Sequence, residues 1–535
     1  MDKSLIHWLK NLSLSDADYF GEKVAYLAEL YNHKLPVPNA FVIDSKFYDG
    51  IIHAFRTEIE SALSMVSDLK SAYEASNTIK TIFSRFTITP EIQNLLLDNY
   101  KKINEHPDHE NMSALTRQLV TSGRDLPFLA IRLSPTKNFP FQFESSLNVY
   151  GIEQVCEGLK SALASIFSPW AIYYRYKHNI GHFDFSVSVI VQKMVHAVKS
   201  GDMFTIDPIK NSKTDIYAQV IWGMNAGMLH NPAVFVFNKQ TNVVNYVKEV
   251  NQQKYYTKNA QFGELLLETL PSNLSPSPTL SEGERKALSD LSAQVESIMN
   301  FPQYIEWAIV RNSIHILQTR PITQLFSKPL IYTDKGILIN NLTSEGQATL
   351  ISTNDDFQKF TTESILVTNE SERELFPYLV QAKGYVCGST GLTSPAIQIC
   401  KDFSVPAIIQ NNTKSIEDGQ DIKFSGNSLE IIQPIQQSSE QTSSSDYGAS
   451  NTTDESNSSE NTYLSGSEDM HDFKHLIFQF EQLERSLTEQ VSKEAQRRAA
   501  GEHTSEEDFK RSQLVSELEW QIRNLKRKLE EANQL

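Results

Sequence analysis

The chain has 535 residues, 40% of them hydrophobic and 21% charged, with a formal net charge of −16. That length supports several buried cores, and the balance is that of a globular protein. The acidic excess argues against a nucleic-acid or membrane surface, which needs a basic footprint.

No apolar run approaches bilayer-spanning length, and Met1-Asp2-Lys3-Ser4-Leu5-Ile6-His7-Trp8 lacks the apolar core of a signal peptide. Cys156, Cys387 and Cys400 are few, odd in number and not spaced as a metal site. A cytoplasmic protein with free thiols is expected. Residues 1–325 alternate helical and strand-like patterns and predict a large α+β unit; residues 327–435 predict strands with short helices.

In chain order, the first motif is Gly21-Glu22-Lys23-Val24-Ala25-Tyr26-Leu27-Ala28-Glu29-Leu30, followed by Leu35-Pro36-Val37-Pro38-Asn39-Ala40-Phe41-Val42-Ile43. By itself Lys23 reads as a solvated lysine opening an amphipathic helix. Next comes Leu129-Ala130-Ile131-Arg132-Leu133-Ser134-Pro135-Thr136, in which Arg132 emerges from an apolar strand. A guanidinium there needs an anionic partner, either a phosphate or a structural carboxylate. Val189-Ile190-Val191-Gln192-Lys193-Met194-Val195 reads as a buried strand and precedes Ser200-Gly201-Asp202-Met203-Phe204-Thr205-Ile206-Asp207-Pro208. Tyr304-Ile305-Glu306-Trp307-Ala308 and Ile316-Leu317-Gln318-Thr319-Arg320-Pro321-Ile322-Thr323 predict adjacent antiparallel strands. Their spacing lets Glu306 and Gln318 point into one site. Finally, Gly391-Leu392-Thr393-Ser394-Pro395-Ala396-Ile397 leads to Val405-Pro406-Ala407-Ile408-Ile409.

Taken together, these segments resemble the phosphoenolpyruvate-utilising enzymes, the family of pyruvate phosphate dikinase and phosphoenolpyruvate synthase, over roughly residues 15–432. The family patterns are GGK-x-A-x-L-x-x-L, VAVRSSAT, VVVQKMV, SGV-x-FT-x-DP, DIEWA and LQ-x-RP-x-T, then TSHAAI and PAVVG. The resemblance implies an α+β multidomain protein: an ATP-grasp nucleotide domain over 1–325 and a β/β/α swivelling phosphohistidine domain over 327–435. It implies that Lys23, Arg132 and Arg320 meet ATP phosphates. It places Gln192, Met194 and Val195 along the adenine, and makes Glu306 and Gln318 oxygen ligands for Mg2+.

The chain departs from the family in several places. The family's phosphoryl-carrying His is Pro395, whose ring has no lone pair to attack phosphorus, so no phosphohistidine is expected and no catalytic residue is assigned. The acidic residue before the IEWA segment is Tyr304, that of GLGE is Ala226, and the glycine of the phosphate-covering loop is Phe141 in a shortened segment. Lys23, Arg132, Arg320, Gln318 and the metal carboxylate Glu306 remain, so the sequence favours ATP binding over efficient phosphoryl transfer. An active phosphotransferase using another acceptor, and a fold kept only as an assembly platform, are the competing readings.

Residues 436–472 are dominated by Ser, Thr, Asn, Glu and Asp, with no Lys or Arg between Lys423 and Lys474. They predict a disordered acidic linker. Leu476, Phe480, Leu483 and Leu487, then Val515, Leu518, Ile522, Leu525, Leu529 and Ala532, predict a helical coiled-coil hairpin over 473–535. It folds back on the chain, self-associates, or meets a protein partner; a repeat this short does not choose. No pyruvate-binding barrel is expected after residue 435.

Overall fold

The computed structural model describes residues 5–103, 126–322 and 337–431, apart from 138, 140–142, 226–230, 259–264, 273, 275–278, 341, 353, 371–374, 411–412, 414 and 426–427. The expected linker and helical hairpin therefore lie outside the described residues, as do Phe141 and Ala226.

Three sheets organise the described chain. The first has five strands in the order β1-β2-β5-β3-β4: β1 Ile6–Trp8, β2 Ala40–Ile43, β3 Leu129–Pro135, β4 Ser146–Val149 and β5 Val187–Lys193. The second has six strands. These are β6 Lys199–Phe204, β7 Asp215–Trp222, β8 Ala233–Asn238 and β9 Val244–Lys248, with β12 Gln303–Val310 and β13 Ser313–Pro321. Their order is β13-β12-β6-β7-β8-β9, and β10 Lys254–Lys258 and β11 Leu265–Thr269 form a separate ribbon.

The strands of the first sheet read as near-continuous apolar runs because both faces are covered. On one side Phe41, Ile43, Val189 and Val191 pack with Ile51, Ile59, Ile79, Phe83 and Leu159 of helices α2 (Ser45–Ser64), α3 (Leu69–Arg85) and α5 (Gly151–Ala164). On the other side Val42 and Ile190 join a core shared with Met203, Ala218, Ile305 and Trp307 of the second sheet. Helix α1 (Glu22–Asn32) adds Val24, Leu27 and Ala28 to that core. Gly21, at φ +84°, starts α1 against β3: a Cβ there would lie 2.4 Å from the Pro135 carbonyl oxygen, so glycine alone permits this approach. The same contact fixes where Lys23 emerges.

The third sheet has seven strands, β14 Ile337–Leu338, β15 Ser344–Leu350, β16 Ser364–Glu370, β17 Gly384–Ser389, β18 Ala407–Ile409, β19 Asp421–Ser425 and β20 Ser428–Ile431. Its order is β14-β18-β17-β16-β15-β19-β20, with β15 to β18 parallel and β19–β20 an antiparallel hairpin. Helix α8, Pro395–Asp402, is capped by Ser394, whose hydroxyl accepts from the Ile397 amide, and starts on Pro395. Leu392, Ala396 and Ile399 sit in one apolar core with Tyr217, Val234 and Val236 of the second sheet. The loop before α8 is thereby laid over the face of the second sheet that turns away from the α1 core. No helix among the described residues is long and apolar enough to cross a membrane.

Candidate functional site

Strand register builds the site. On β12, Glu306 stands opposite Gln318 of β13 on one side and opposite Asp202 of β6 on the other, and Asp202 stands opposite Gln219 of β7. Directly opposed residues share a face, so Gln318, Glu306, Asp202 and Gln219 form one polar row across four strands. Ile305 and Trp307, of the opposite parity, enter the apolar core. A second row on the site face is aromatic: Phe204 and Tyr217 lie edge to face, and the Arg320 guanidinium sits 4.5 Å from the Tyr304 ring centre.

The first sheet closes the cleft from the other side. Arg132 of β3 donates to Glu306 Oε2 at 2.8 Å and to Gln318 Oε1 at 3.4 Å. Lys23, Arg132, Asp202, Glu306, Gln318 and Tyr304 line one cavity of about 70 Å³, with Asn225, Thr393 and Pro395 among the other residues of its wall. Small-molecule sites usually enclose about 300–1,000 Å³, so this cavity is small and polar beside them.

Electrostatics follow from that crowding. Burial pulls the Lys23 ammonium down to about 8, with Glu306 opposing and Arg320 and Arg132 assisting the shift. Burial works against the charged Glu306 carboxylate, but Arg132, Lys23 and Arg320 outweigh it and hold its pKa below the ordinary range. Asp202, 1% exposed, is pushed up to about 6 by burial, although hydrogen bonds from Thr393 and Gln219 favour its charge.

The loop before α8 is tied to this row by hydrogen bonds. Thr393 Oγ1 donates to Asp202 Oδ2 at 2.5 Å, Gln219 Nε2 donates to Asp202 Oδ1 at 2.6 Å, and the Leu392 amide donates to Gln219 Oε1 at 2.7 Å. The Tyr304 hydroxyl reaches Asp202 Oδ2 at 3.3 Å.

Lys23, Arg132, Glu306 and Gln318 are thus gathered at one point, with Arg320 beside them on Tyr304. Gln192, Met194 and Val195 are not on this cavity; they lie at and beyond the end of β5. Gln192 is buried with its Nε2 lacking a hydrogen-bond partner. The Met194 amide donates to the Phe128 carbonyl at 2.8 Å.

Sequence reading gave no role to Asp202, Gln219, Asn225 or Thr393. For Asp202 a signal existed: a carboxylate inside the otherwise uncharged strand stretch Ser200–Phe204. Among the described residues no group of three or more His, Cys, Asp or Glu converges as a metal site. A cation would take carboxylate and amide oxygens here and complete its shell from water and phosphate, which suits Mg2+.

Comparison with known proteins agrees with this architecture. Residues 17–330 match the family model described as pyruvate phosphate dikinase, AMP/ATP-binding domain, and residues 360–428 match that of the PEP-utilising enzyme mobile domain. The chain is 28% identical over 411 residues to a probable phosphoenolpyruvate synthase of Methanocaldococcus jannaschii, covering 72% of this chain and 33% of that protein. It is 28% identical over 440 residues to one from Archaeoglobus fulgidus, covering 78% and 57%. It is likewise 28% identical over 482 residues to the phosphoenolpyruvate synthase of Aeropyrum pernix, covering 80% and 57%. The chain therefore spans a third to somewhat over half the length of these relatives. With one of its family models matched over more than half of its residues, the chain belongs to the phosphoenolpyruvate-utilising enzyme family.

Proposed function

We propose that this protein binds ATP with Mg2+ in the cleft between the first and second sheets, forms no phosphohistidine, and acts as a nucleotide-binding regulatory or scaffold protein. In this reading residues 1–325 are an ATP-grasp domain and residues 327–435 a swivelling domain that has lost its phosphoryl carrier. Lys23 and Arg132 hold phosphate oxygens, Arg320 backs them, Gln192, Met194 and Val195 border the adenine, and Glu306 with Gln318 supplies oxygens to the cation. Bound Mg2+ would screen phosphate charge.

The observation that carries the reading is the convergence of Lys23, Arg132, Glu306 and Gln318 on a cavity that Pro395 also lines. The cations and hard oxygens needed to seat phosphates are present, and the residue at the family's phosphoryl-carrying position has no nucleophilic atom. Losing single transition-state contacts costs about 2–4 kcal/mol each, so binding outlasts chemistry when such groups disappear. Calorimetry with Mg-ATP tests the binding, and single-turnover conversion of ATP to AMP and phosphate would contradict the non-catalytic part.

A second reading, an ATP-dependent phosphotransferase using an acceptor other than residue 395, draws on Asp202. That residue places a second carboxylate beside Glu306 despite Tyr304. A complete absence of Mg-ATP binding would end it.

A further inference from the structure

Asp202 is a buried acid to which the nucleotide-binding reading assigns no role. It lies directly opposite Glu306 on the neighbouring strand, on the same face, and lines the same cavity. Two other groups on that wall point to a missing ligand. Gln318 is 4% exposed and its unpaired Nε2 is a donor that suits a phosphate oxygen, whereas the buried, unpaired Oδ1 of Asn225 is an acceptor that suits the cation or its water. Buried polar atoms seldom stay unpaired in a finished site.

We propose that Asp202 is a ligand of the divalent cation that accompanies the nucleotide, so that the cation is held by Asp202 and Glu306 with the Gln318 amide oxygen. The inference deepens the nucleotide reading and rests on it. Tyr304, two residues before Glu306 on β12, carries no carboxylate; the acid is supplied one strand away, at the same level as Glu306. Mg2+ is usually held by one or two carboxylates plus substrate phosphates, and this row provides two.

Asp202 has the capacity to do so. A carboxylate has about four lone-pair sites, and Asp202 receives hydrogen bonds from Gln219, Thr393 and Tyr304. Oδ1 receives only the Gln219 bond, which leaves it one site for a cation in the cavity that Asp202 lines. Removing the Thr393 hydroxyl, which draws on the same carboxylate through Oδ2, would leave more of its charge for the cation and should strengthen cation binding.

The test uses full-length protein and two separate readouts. Nucleotide binding is measured by calorimetry with ATP in EDTA, and Mn2+ binding by the loss of the free Mn2+ paramagnetic resonance signal in the presence of a non-hydrolysable ATP analogue. Substitution of groups around a metal's ligands typically costs about 10–100-fold in affinity, so Asp202→Asn should weaken Mn2+ at least that much, while metal-free ATP binding, relieved of a repelling carboxylate, should not weaken. Glu306→Gln should weaken Mn2+ likewise. Unchanged Mn2+ affinity in Asp202→Asn overturns the assignment. If Asp202→Asn does not fold, Thr393→Val carries the test. It should tighten Mn2+ by about tenfold, equivalent to one hydrogen bond to a charged group, and an unchanged or weaker affinity overturns the proposal. Wild-type protein that binds Mn2+ but no ATP, with or without metal, contradicts the nucleotide reading itself, and the Asp202 assignment falls with it.

Discussion

Arg132 on β3 and Glu306 on β12 form a 2.8 Å ion pair across the gap between two sheets, each side chain only 15% exposed. The pair joins the two walls of the cleft before any ligand arrives. Removing one member leaves a largely buried charge behind, which costs about 3–5 kcal/mol in comparable cases. Glu306→Ala and Arg132→Ala should each lower unfolding free energy by about 3 kcal/mol, slightly less than a fully dry pair. The double variant Arg132→Met with Glu306→Leu should cost less than either single change. Urea unfolding of the set measures this; additive losses would show that the pair is not coupled.

Lys23 makes nucleotide affinity depend on pH. Burial brings it down to about 8 in the free protein, while phosphate binding requires the charged ammonium. Affinity should therefore be constant below about pH 7 and fall by up to about tenfold per unit above pH 8. Lys23→Arg, which stays charged, should flatten that dependence. For stability, the unfolded chain binds more protons than the folded one between about pH 8 and the ordinary lysine value. Lys23 thus penalises folding below pH 8, and the penalty is relieved as pH rises through that window. Calorimetric titration from pH 6.5 to 9.5 tests the binding half.

Thr393 ties the loop before α8 to the second sheet through Asp202. Valine keeps the volume and removes the donor. A hydrogen bond to a charged group contributes about 1.5–3 kcal/mol, so Thr393→Val should cost about 2 kcal/mol. It should also speed amide exchange at Leu392, whose N–H is held by Gln219. Unaltered exchange would mean that the apolar contacts of Leu392 and Ala396 hold the loop without help.

Gly201 is needed for close approach. A Cβ on it would lie 1.9 Å from the Gln219 backbone oxygen and 2.9 Å from the Trp307 ring, and neither can retreat from a packed sheet. Gly201→Ala should destabilise by about 3 kcal/mol, at the upper end of overpacking costs. It should also disturb the row Glu306–Asp202–Gln219 that depends on this strand spacing. Thermal unfolding of the variant beside Gly283→Ala, where a Cβ meets nothing within 4 Å, separates crowding from loss of glycine as such.

Much of this site was legible in the sequence, for identifiable reasons. Lys23, Arg132, Glu306 and Gln318 each sit in a local pattern: a helix start after glycine, a lone cation in an apolar strand, and two strands in hairpin order. Alternation along β12 and β13 was enough to put Glu306 and Gln318 on one face, and their register does so. Asp202 was not legible as part of the site, because its place beside Glu306 depends on which strand pairs with β12. That partner, β6, lies about a hundred residues away in the chain, as Tyr304 and Asp202 do. The loss of an acid at Tyr304 therefore read as a missing charge, when a charge stands one strand over. Thr393 was hidden for the same reason, since its partner belongs to another sheet.

A cleft that still binds the nucleotide, beside a residue 395 that cannot carry phosphate, separates binding from chemistry in this protein. Calorimetry with Mg-ATP on wild-type protein, Lys23→Ala and Glu306→Ala addresses it most directly. Saturable binding to wild type is expected, lost or greatly weakened in both variants, with no phosphorylated protein formed. No binding at millimolar Mg-ATP, or binding that both substitutions leave intact, would contradict it.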